Sequence, residues 1–479
     1  MQLSLAEIAV ILHAEPPAAA GWAAGAAIDS RQLRPGELFF ALRGEHSDGH
    51  QHVLAALGAG ACAAVVAREE LPRFAPAFRP RLIAVDHPET ALGQLAAAVR
   101  RRWGKKVVGI TGSAGKTTSK ELIARVLATR YQVLKTEGNF NNHLGVPLTL
   151  LRLTPAHEIA VIEMGMNHAG EIAALARLAQ PQVGVFTVVA PVHLGFFPSL
   201  DAIAAAKREL LEALPGQGIA VLNANDPRVA RFGDGWSGRK IYYGLSDDPA
   251  HERAPQDWGV RIENIISQAE AGSEFTAVAG GQREIMHLPL LGRHNVANAA
   301  AALATGQIFG VDLRLAARAL AGMRPGPGRG RVLRLGSVTV LDDCYNANPE
   351  AVERMLQVLR QMPGRRHLAV LGEMRELGAA SRDWHFKIGQ LCARMKLDAI
   401  FAVAGDAGIL LEGARAAEFD GPCEFFPDAQ ACIPAVRAAM RPGDVILVKG
   451  SHGVHLEILI ADLEKDESPN AGLARSGPV

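Results

Sequence analysis

The sequence predicts an α/β protein of three domains, in which a central P-loop-type ATPase domain with a parallel sheet is flanked by a small N-terminal α/β domain and a C-terminal Rossmann-like domain. Two observations lead to this prediction. The chain has 479 residues, and at about 150 residues per domain that length suits roughly three domains. Short apolar runs alternate with Ala-rich helical segments over most of the chain, which is typical of a parallel sheet covered on both faces.

Residues 1–85 form the first predicted domain. Strand-like apolar runs begin at Leu38, Ala63 and Leu82, and a Gly- and His-rich loop, RGEHSDGHQH, follows the first of them. The N-terminus, MQLSLAEIAVILHAE, has no basic region and carries Glu7 inside its apolar stretch. It therefore predicts an amphipathic helix rather than a signal peptide.

Residues 86–323 form the predicted central domain, which includes a linker helix at 90–102. Its strands are expected in the segments KVVGIT, YQVLK, IAVIE, VGVFTVV and IAVLN. More polar, alternating strands are expected between Arg261 and Met286, followed by two helices between His294 and Gly322. The segment RPGPGRG at 324–330 interrupts every regular pattern and predicts a domain boundary.

Residues 324–464 form the third predicted domain, because βα alternation resumes with VTVLDD, HLAVLG, AIFAVAG and VILVKG. The tail at 465–479, KDESPNAGLARSGPV, lacks an apolar face. We expect this tail to be disordered.

The composition argues against several classes of protein. The 50 Lys and Arg residues against 49 Asp and Glu give a formal net charge of +1, which leaves no broad basic field for nucleic acid or anionic lipid. The five cysteines include no C-x-x-C pair, which suits a reducing cytosol. Two uncharged stretches, 178–200 and 294–311, are interrupted by Pro or by polar side chains, so neither is expected to cross a membrane. We expect a soluble, cytoplasmic protein.

The strongest local motif is VVGITGSAGKTTSKE, in which a buried strand runs into a glycine loop and then a helix. Backbone N–H groups of residues 112–116 and the helix N-terminus can surround a phosphate. Lys116 is then expected on the β- and γ-phosphates, and Thr117 on Mg²⁺. Five residues rather than four separate Gly109 from Gly115, so the general P-loop spacing is missed. An ordinary glycine-rich turn is the alternative, but it does not explain Gly-Lys-Thr at the start of a helix.

Three further residues are candidates for a metal or phosphate site. Glu163 and His193 follow predicted strands, at the sheet edge where a parallel sheet places its ligands. A solvated glutamate and a loop-packing histidine are the alternatives. Lys207 lies on an Ala-rich helix, where the alternative is an ordinary surface lysine. The chain has 39 Arg and only 11 Lys. A lysine is therefore a pointer to chemistry that a guanidinium cannot perform, and a composition bias of the genome is the alternative.

Two stretches predict contact loops. LGRHNVANAAAALA offers His294, Asn295 and Asn298 at a helix start, where the amides would read an adenine edge or cap the helix. LDDCYNANPEA places two carboxylates at a strand end, and a turn with Asn346 and Asn348 follows them.

Six segments together resemble the Mur ligase family: GITGSAGKTTSKE, EGNFNNHLGVPLTLLRL, AVIEMGMNHAGEI, LGRHNVANAAAALA, LDDCYNANPEA and LGEMRELG. The resemblance as a whole runs in order from about Ser30 to Glu457. Within the family, the segments GNFNNHLGVP and DDCYNANP are similar to those of the enzymes that add D-alanyl-D-alanine to UDP-N-acetylmuramoyl-tripeptide. The resemblance implies an ATP-dependent amide ligase that works through an acyl phosphate, in the last cytoplasmic step of muramoyl-pentapeptide synthesis for peptidoglycan. It also implies an N-terminal domain for the UDP-sugar peptide, a central ATPase domain and a C-terminal domain that closes over both, for which we expect the hinge at 324–330.

The resemblance also assigns roles to residues. It places ATP at Gly112, Ser113, Ala114, Gly115, Lys116, Thr117, Thr118, Asn295, Asn298, Arg329 and Asp343. It places two Mg²⁺ ions at Thr117, Glu163, His193 and Lys207, the last carried as a carbamate, and makes Lys116, Lys207, His193 and Glu163 the catalytic set. It places the substrates at Ser30, Arg31, Gly44, His46, Asp48, Gly49, His50, Asn139, Asn141, Asn142, Asn346, Lys449 and Ser451. We expect a monomer without nucleic-acid partners.

Two positions depart from the family pattern. Gly195 stands where the family often carries an acid, and His452 stands where a K-G-S-R pattern has its arginine. Two other functions remain as alternatives: a folylpolyglutamate synthase-like ligase, and a P-loop regulator that binds nucleotide without ligating anything. The third residue of the peptide, meso-diaminopimelate or lysine, stays open.

Overall fold

The computed structural model describes residues 1–44, 47–192, 195–248 and 258–465. Its larger sheets have four, nine and six strands, in that order along the chain, and the N-terminus adds a separate two-stranded pair. The α/β class with a central, mainly parallel sheet is confirmed. The expected disorder of the tail concerns residues that, apart from Lys465, lie outside the described part of the chain.

The first unit contains a parallel sheet and a small antiparallel pair. Its elements are β1 (Leu3–Ser4), α1 (Leu5–Ile11), β2 (Trp22–Ala23), β3 (Gly25–Ala27), β4 (Glu37–Phe40), α2 (Val53–Gly58), β5 (Ala63–Ala67), β6 (Leu82–Val85) and α3 (Pro88–Trp103). The parallel sheet has the order β3-β4-β5-β6, while β1 pairs with β2. Helix α1 begins with a capping box, in which the Ser4 hydroxyl accepts from the Glu7 N–H at 3.2 Å and the Glu7 carboxylate accepts from the Ser4 N–H at 2.9 Å. The predicted first helix is confirmed.

Helix α3, expected as a linker at 90–102, packs against the central unit. Its buried Leu95 belongs to the same hydrophobic cluster as Val107 of the central sheet. The Arg100 guanidinium donates to the carbonyl of Ala179 at 2.7 Å, which ties the helix to the central unit. The first and central units therefore share one continuous apolar core.

The central unit is built on the nine-stranded sheet. Its strands are β7 (Lys106–Thr111), β8 (Val133–Lys135), β9 (Ile159–Glu163), β10 (Val183–Phe186), β11 (Ile219–Asn223), β12 (Arg239–Leu245), β13 (Val260–Ser267), β14 (Ser273–Ala279) and β15 (Gln282–Leu288). Its helices are α4 (Lys116–Leu127), α5 (Gly145–Leu151), α6 (Glu171–Ala179), α7 (Leu200–Glu212), α8 (Pro227–Arg231), α9 (Arg293–Ile308) and α10 (Leu313–Ala321).

The strand order of this sheet is β15-β14-β13-β12-β11-β10-β7-β9-β8. All pairings from β8 to β13 are parallel, and β13, β14 and β15 close the sheet with antiparallel pairings. Neighbouring residues of β7 face opposite sides, since Val107 joins the core shared with the first unit and Val108 joins the core beneath α9. Apolar cover on both faces explains the continuous apolar runs in the sequence.

The third unit has the six-stranded sheet. Its elements are β16 (Arg331–Leu335), β17 (Val338–Asp342), α11 (Pro349–Gln361), β18 (Arg366–Gly372), α12 (Ser381–Arg394), β19 (Ala399–Val403), α13 (Gly408–Ala416), β20 (Cys423–Phe426), α14 (Ala429–Ala439), β21 (Asp444–Lys449) and α15 (Glu457–Glu464). The order is β16-β17-β21-β18-β19-β20, parallel except for β16 at the edge. This is the expected Rossmann-like arrangement.

The segment at 324–330 holds neither helix nor strand. Its second half is fixed to the third unit, since the Gly328 N–H donates to the Asp342 carboxylate at 3.2 Å and the Tyr345 N–H donates to the Gly328 carbonyl at 3.0 Å. In the ranges described by the structure, no helix combines the length and apolar character that crossing a bilayer requires.

Candidate active site

The glycine loop between β7 and α4 requires glycine at two positions, because the backbone there has a positive φ angle. Gly112 has φ +151° and Gly115 has φ +79°. A Cβ at Gly112 would lie 1.8 Å from the Thr187 hydroxyl, and one at Gly115 would lie 2.5 Å from the Asn298 side-chain oxygen. The loop is thus held against β10 and α9, with the N-terminus of α4 at its end.

Lys116 opens α4 and bends back over the loop. Its ammonium donates to the carbonyl of Gly112 at 2.7 Å. Burial is the main cause that lowers the pKa of Lys116, while the nearby Glu163 carboxylate acts in the opposite direction. This lysine lies where the loop's N–H groups and helix terminus favour an anion.

Glu163, the last residue of β9, is 1% exposed. One carboxylate oxygen, Oε1, accepts from the Thr117 hydroxyl at 3.1 Å and from the Asn141 side-chain amide at 2.8 Å. The other, Oε2, is buried and has no hydrogen-bond partner among the described residues. A buried carboxylate oxygen beside a hydroxyl fits a divalent cation with oxygen ligands.

Sequence reasoning did not single out Lys120, which is fully buried one turn after Lys116. Its Nζ lies 3.8 Å from Oε2 of Glu163 and 3.2 Å from Oε1 of Glu121. It also donates to the carbonyl of Gly138 at 3.4 Å. The available signal was the four-residue spacing from Lys116, which puts both lysines on one side of the helix.

Lys207 on α7 is 2% exposed, so the surface-lysine alternative is wrong. Burial lowers the pKa of Lys207 well below its ordinary value, and the positive charge of Lys116 lowers it further. No carboxylate of the described residues forms an ion pair with Lys207. His193, predicted beside it as a metal ligand, and His46 of the first unit lie outside the described residues.

A cleft of about 730 Å³ separates the glycine loop from the third unit. Predicted site residues from both units line it, namely Ser113, Ala114, Gly115, Lys116, Thr117, Thr118, Asn139, Asn141, Asn142, Glu163, Asn295, Asn298, Arg329, Asp343, Asn346, Lys449 and Ser451. Gly112 and Lys207 do not reach this described surface. The tertiary structure therefore brings together residues that are more than 300 positions apart in the sequence.

A smaller cavity of about 370 Å³ adjoins the cleft. The two share Ala114, His294, Asn298 and Arg354. Sequence reasoning missed the rest of its lining, which includes Thr187, Asn223, Asn225, Asp226 and Tyr243. The only local signal of this cavity was the polar turn Asn-Ala-Asn-Asp at 223–226, at the end of β11. Its last residue, Asp226, caps α8.

Neither Asn295 nor Asn298 caps α9, and Asn298 faces the glycine-loop helix. The Asn298 oxygen accepts from the Ser119 hydroxyl at 3.2 Å, and its amide donates to Asn295 at 3.1 Å. Burial lowers the pKa of the neighbouring His294 to about 3, and the charges of Arg354 and Lys449 act in the same direction.

On the third unit, the Lys449 ammonium pairs with Asp343 and donates to the carbonyl of Asn346 at 2.9 Å. Burial raises the pKa of Asp343, against the opposing effect of Lys449. The Arg329 guanidinium lies 3.9 Å above the ring of Tyr345. These groups form the wall opposite the glycine loop.

The structure does not bring the first-unit candidates Ser30, Arg31, Gly44, Asp48, Gly49 and His50 into the lining of this cleft, as far as it is described. Arg31 is 87% exposed and pairs with Asp29. His50 is buried; its Nε2 accepts from the Ala67 N–H at 3.0 Å, and its Nδ1 lies 2.6 Å from Asp48. Since Nε2 accepts, the proton belongs on Nδ1, and His50 holds its loop to β5 in this arrangement.

The comparisons with known proteins agree with this architecture. Three family models match in order: the Mur ligase family, catalytic domain, over 24–100; the Mur ligase middle domain over 110–306; and the Mur ligase, glutamate ligase domain, over 328–452. The UDP-N-acetylmuramoyl-tripeptide--D-alanyl-D-alanine ligase of Bacillus subtilis (strain 168) is 36% identical over 441 residues, which are 92% of this chain and 93% of that protein. The chain belongs to the Mur ligase family.

Other members of the Mur ligase family match almost the whole chain. The enzyme of the same name from Escherichia coli (strain K12) is 35% identical over 97% of this chain and 99% of its own length. MurF from Acinetobacter baumannii has a TM-score of 0.84 at 30% identity, covering 97% of this chain and 99% of that one. MurF ligase from Thermotoga maritima in complex with ADP has a TM-score of 0.76 at 27% identity, covering 92% and 97%. Folylpolyglutamate synthase from Mycobacterium tuberculosis, at 16% identity and a TM-score of 0.59, shares the fold alone.

Proposed function

We propose that this Mur ligase uses ATP to join D-alanyl-D-alanine to UDP-N-acetylmuramoyl-tripeptide, with release of ADP and phosphate. The observation that carries the proposal is the cleft in which the glycine loop and Glu163 face Asp343 and Lys449 of the third unit. The identity of the two substrates is taken from the names of the relatives. The product, a muramoyl pentapeptide, belongs to peptidoglycan synthesis, and with it to cell shape and division.

The nucleotide is proposed to bind across the two adjoining cavities. Its phosphates lie at residues 112–118, where the helix N-terminus, Lys116 and Arg329 favour negative charge. Its nucleoside extends past Asn298 into the smaller cavity, which shares Ala114 and Asn298 with the cleft. The Thermotoga maritima MurF structure with ADP supports a nucleotide site in this fold.

Two Mg²⁺ ions are proposed at Thr117, Glu163, His193 and Lys207. The fit rests on the buried, unpartnered Oε2 of Glu163 and the adjacent Thr117 hydroxyl. When bound, the ions supply Lewis-acid stabilisation of the transferring phosphoryl oxygens. The protein's own part is to hold Glu163 in place, through Thr117, Asn141 and Lys120.

Lys207 is proposed to carry a carbamate. The ammonium first loses a proton. The neutral amine then attacks CO₂, an N–C bond forms as one C–O π bond opens onto oxygen, and a second proton is released, so the side chain changes overall from a cation to an anion. Burial favours the neutral amine that this reaction needs. An arginine is protonated at every physiological pH and does not substitute for it.

The chemistry follows from the weakness of a carboxylate as an acyl donor. The terminal carboxylate of the tripeptide attacks the γ-phosphorus, and an O–P bond forms as the bond to the β-phosphate oxygen breaks. The amine of D-alanyl-D-alanine then attacks the acyl carbon, loses a proton and expels phosphate. Lys116 and Arg329 offset the charge on the phosphoryl oxygens, and a closed cleft keeps water from the acyl phosphate.

The peptide substrates are proposed to occupy the part of the cleft away from the nucleotide. Asn139, Asn141 and Asn142 line it from the central unit, and Asn346, Lys449 and Ser451 line it from the third. The UDP group is proposed at the first unit, around Ser30, Arg31, Gly44, His46, Asp48, Gly49 and His50. We place the enzyme in the cytoplasm, since all five cysteines are free and a reducing compartment keeps thiols in that state. We expect it to act there as a monomer.

Phosphate release measured with purified protein tests the function. We expect release that requires ATP, UDP-N-acetylmuramoyl-tripeptide and D-alanyl-D-alanine together, and that is lost in Lys116→Met. ATP turnover that ignores both peptides would remove the proposal in favour of a P-loop regulator. Turnover with glutamate and a folate, in place of the muramoyl substrates, would favour the folylpolyglutamate synthase-like alternative.

A further inference from the structure

The C-terminal motif KGSHGVHLE carries three side chains able to ligate a metal, none of which has a role in the site described above. His452, His455 and Glu457 each offer one ligand atom, and these atoms lie within 4.8 Å of one another. Within the described ranges, this is the one group of three or more His, Cys, Asp or Glu residues that comes this close. His452 is also the position at which the sequence departs from the family's K-G-S-R pattern.

The backbone brings the three side chains to the same side. A 3₁₀ turn spans His452–Val454, and His455 after it has φ +60° before α15 begins at Glu457. The His455 Nδ1 lies 2.9 Å from the Glu457 carboxylate. The centroids of the two imidazole rings are 6.1 Å apart and the ring planes meet at 79°, an edge-to-face contact.

We propose that His452, His455 and Glu457 form a site for a divalent transition cation, with Zn²⁺ as the best fit. Two imidazoles and one carboxylate are a three-ligand zinc set that leaves a further position for water. The side chains of His455 and Glu457 are 58% and 50% exposed, so water reaches that position. Mg²⁺ prefers oxygen ligands throughout, which separates this site chemically from the one at Glu163.

The site lies at the rim of the cleft. His452 lines the cleft, and its ring packs 5.5 Å from that of Tyr345. The Arg329 guanidinium stands over the same tyrosine ring. A cation bound here adds positive charge to the wall that faces the glycine loop, whether or not the proposed ligase reaction is correct.

A zinc titration without substrates tests the site. The protein is used metal-free, with any histidine tag removed, in competition with a chromogenic chelator. We expect one bound Zn²⁺ per chain, with at least about ten-fold weaker binding in His455→Ala and in Glu457→Gln. Millimolar Mg²⁺ should not displace it.

His168→Ala is the matched control, because His168 is another exposed histidine of the cleft with a single carboxylate partner, Glu171. It should bind zinc as the unaltered protein does. Equal zinc affinity in all four proteins would overturn the proposal. So would a thiolate-to-metal absorption band on Co²⁺ substitution, which would place the metal on a cysteine instead. Unchanged melting temperatures would show that all four proteins are folded.

Discussion

At the scale of single residues, two lysines of the central unit have buried side chains. Lys120 and Lys207 are fully or almost fully buried. Lys120 lies between the carboxylates of Glu121 and Glu163, whereas burial acts on Lys207 without such compensation and lowers its pKa. A buried cation with partners suits a structural role, and a buried amine without them suits a chemical one.

Lys207→Met should abolish most ligase activity and leave the fold more stable at neutral pH. The pKa of Lys207 is lower in the folded state than in the unfolded chain, so between those two values only the unfolded chain holds the proton. Stability therefore rises with pH across that window in the unaltered protein, and this contribution is absent from the methionine variant. Urea unfolding from pH 6 to 10 in CO₂-depleted buffer measures the slope, and a loss of activity on the order of 100-fold is expected.

Two other substitutions at this position serve as controls. Lys207→Arg keeps a charge that burial penalises, so it should be both inactive and less stable. Lys207→Ala leaves room for a short carboxylate, and added carboxylate should restore part of its activity. Full activity in any of the three variants would contradict the carbamate.

Lys120 and Glu163 should be energetically coupled. Lys120→Met leaves a buried carboxylate without its cation, which costs about 3 kcal/mol of unfolding free energy. The double variant with Glu163→Gln should cost at least about 0.5 kcal/mol less than the sum of the two single variants. Lys135→Met is the control, since Lys135 shares Glu121 but is 41% exposed, and it should cost less than about 1 kcal/mol. If the two single costs add up to the cost of the double variant, Lys120 and Glu163 are not energetically coupled.

At the scale of elements, the glycine loop depends on close contact between β7, β10 and α9. The sequence indicated the loop from its own residues. The contacts that hold it come from Thr187 and Asn298, which lie 75 and 183 residues after Gly112 and Gly115 respectively. No local sequence pattern predicts these two contacts.

Gly112→Ala should lose both activity and about 2 kcal/mol of stability, because its Cβ would meet the Thr187 hydroxyl at 1.8 Å with φ at +151°. Gly216→Ala is the control, since a Cβ there meets nothing within 4 Å. That variant should stay within about 0.5 kcal/mol of the parent. Denaturant unfolding and phosphate release are the two measurements, and an unimpaired Gly112→Ala enzyme would show that the loop adapts.

At the scale of the whole molecule, the site is divided between units that meet across the cleft. The segment at 324–330 is the connection between them, with its second half already bonded to the third unit. Closure about this hinge would bring the wall of Arg329 and Lys449 onto the glycine loop.

Small-angle scattering should detect that closure. The radius of gyration should fall when a non-hydrolysable ATP analogue and UDP-N-acetylmuramoyl-tripeptide are both present. Lys116→Met, which weakens the phosphate site, should show a smaller change under the same conditions. An unchanged radius in the unaltered protein with both ligands would argue against a hinge at 324–330.

The sequence by itself determined the α/β class, the order of the main βα units and the glycine loop between β7 and α4. These depend on apolar periodicity and on glycine at defined positions, which are local properties. It did not reveal the short edge strands such as β16 and β20, all but one of whose residues are partly or fully exposed, or β12, which begins with two exposed basic residues.

Only the tertiary structure decided which polar residues work together. Lys207 reads locally as a surface lysine, and the packing of α7 is what buries it. The smaller cavity and the Lys120–Glu163 pair depend on contacts between residues that are far apart in the sequence. The His452, His455 and Glu457 cluster lies within six residues of the sequence, and the tertiary structure decides its position at the rim of the cleft. Burial and charge pairing are sums over neighbours in space, and those neighbours are fixed only when the sheets have formed.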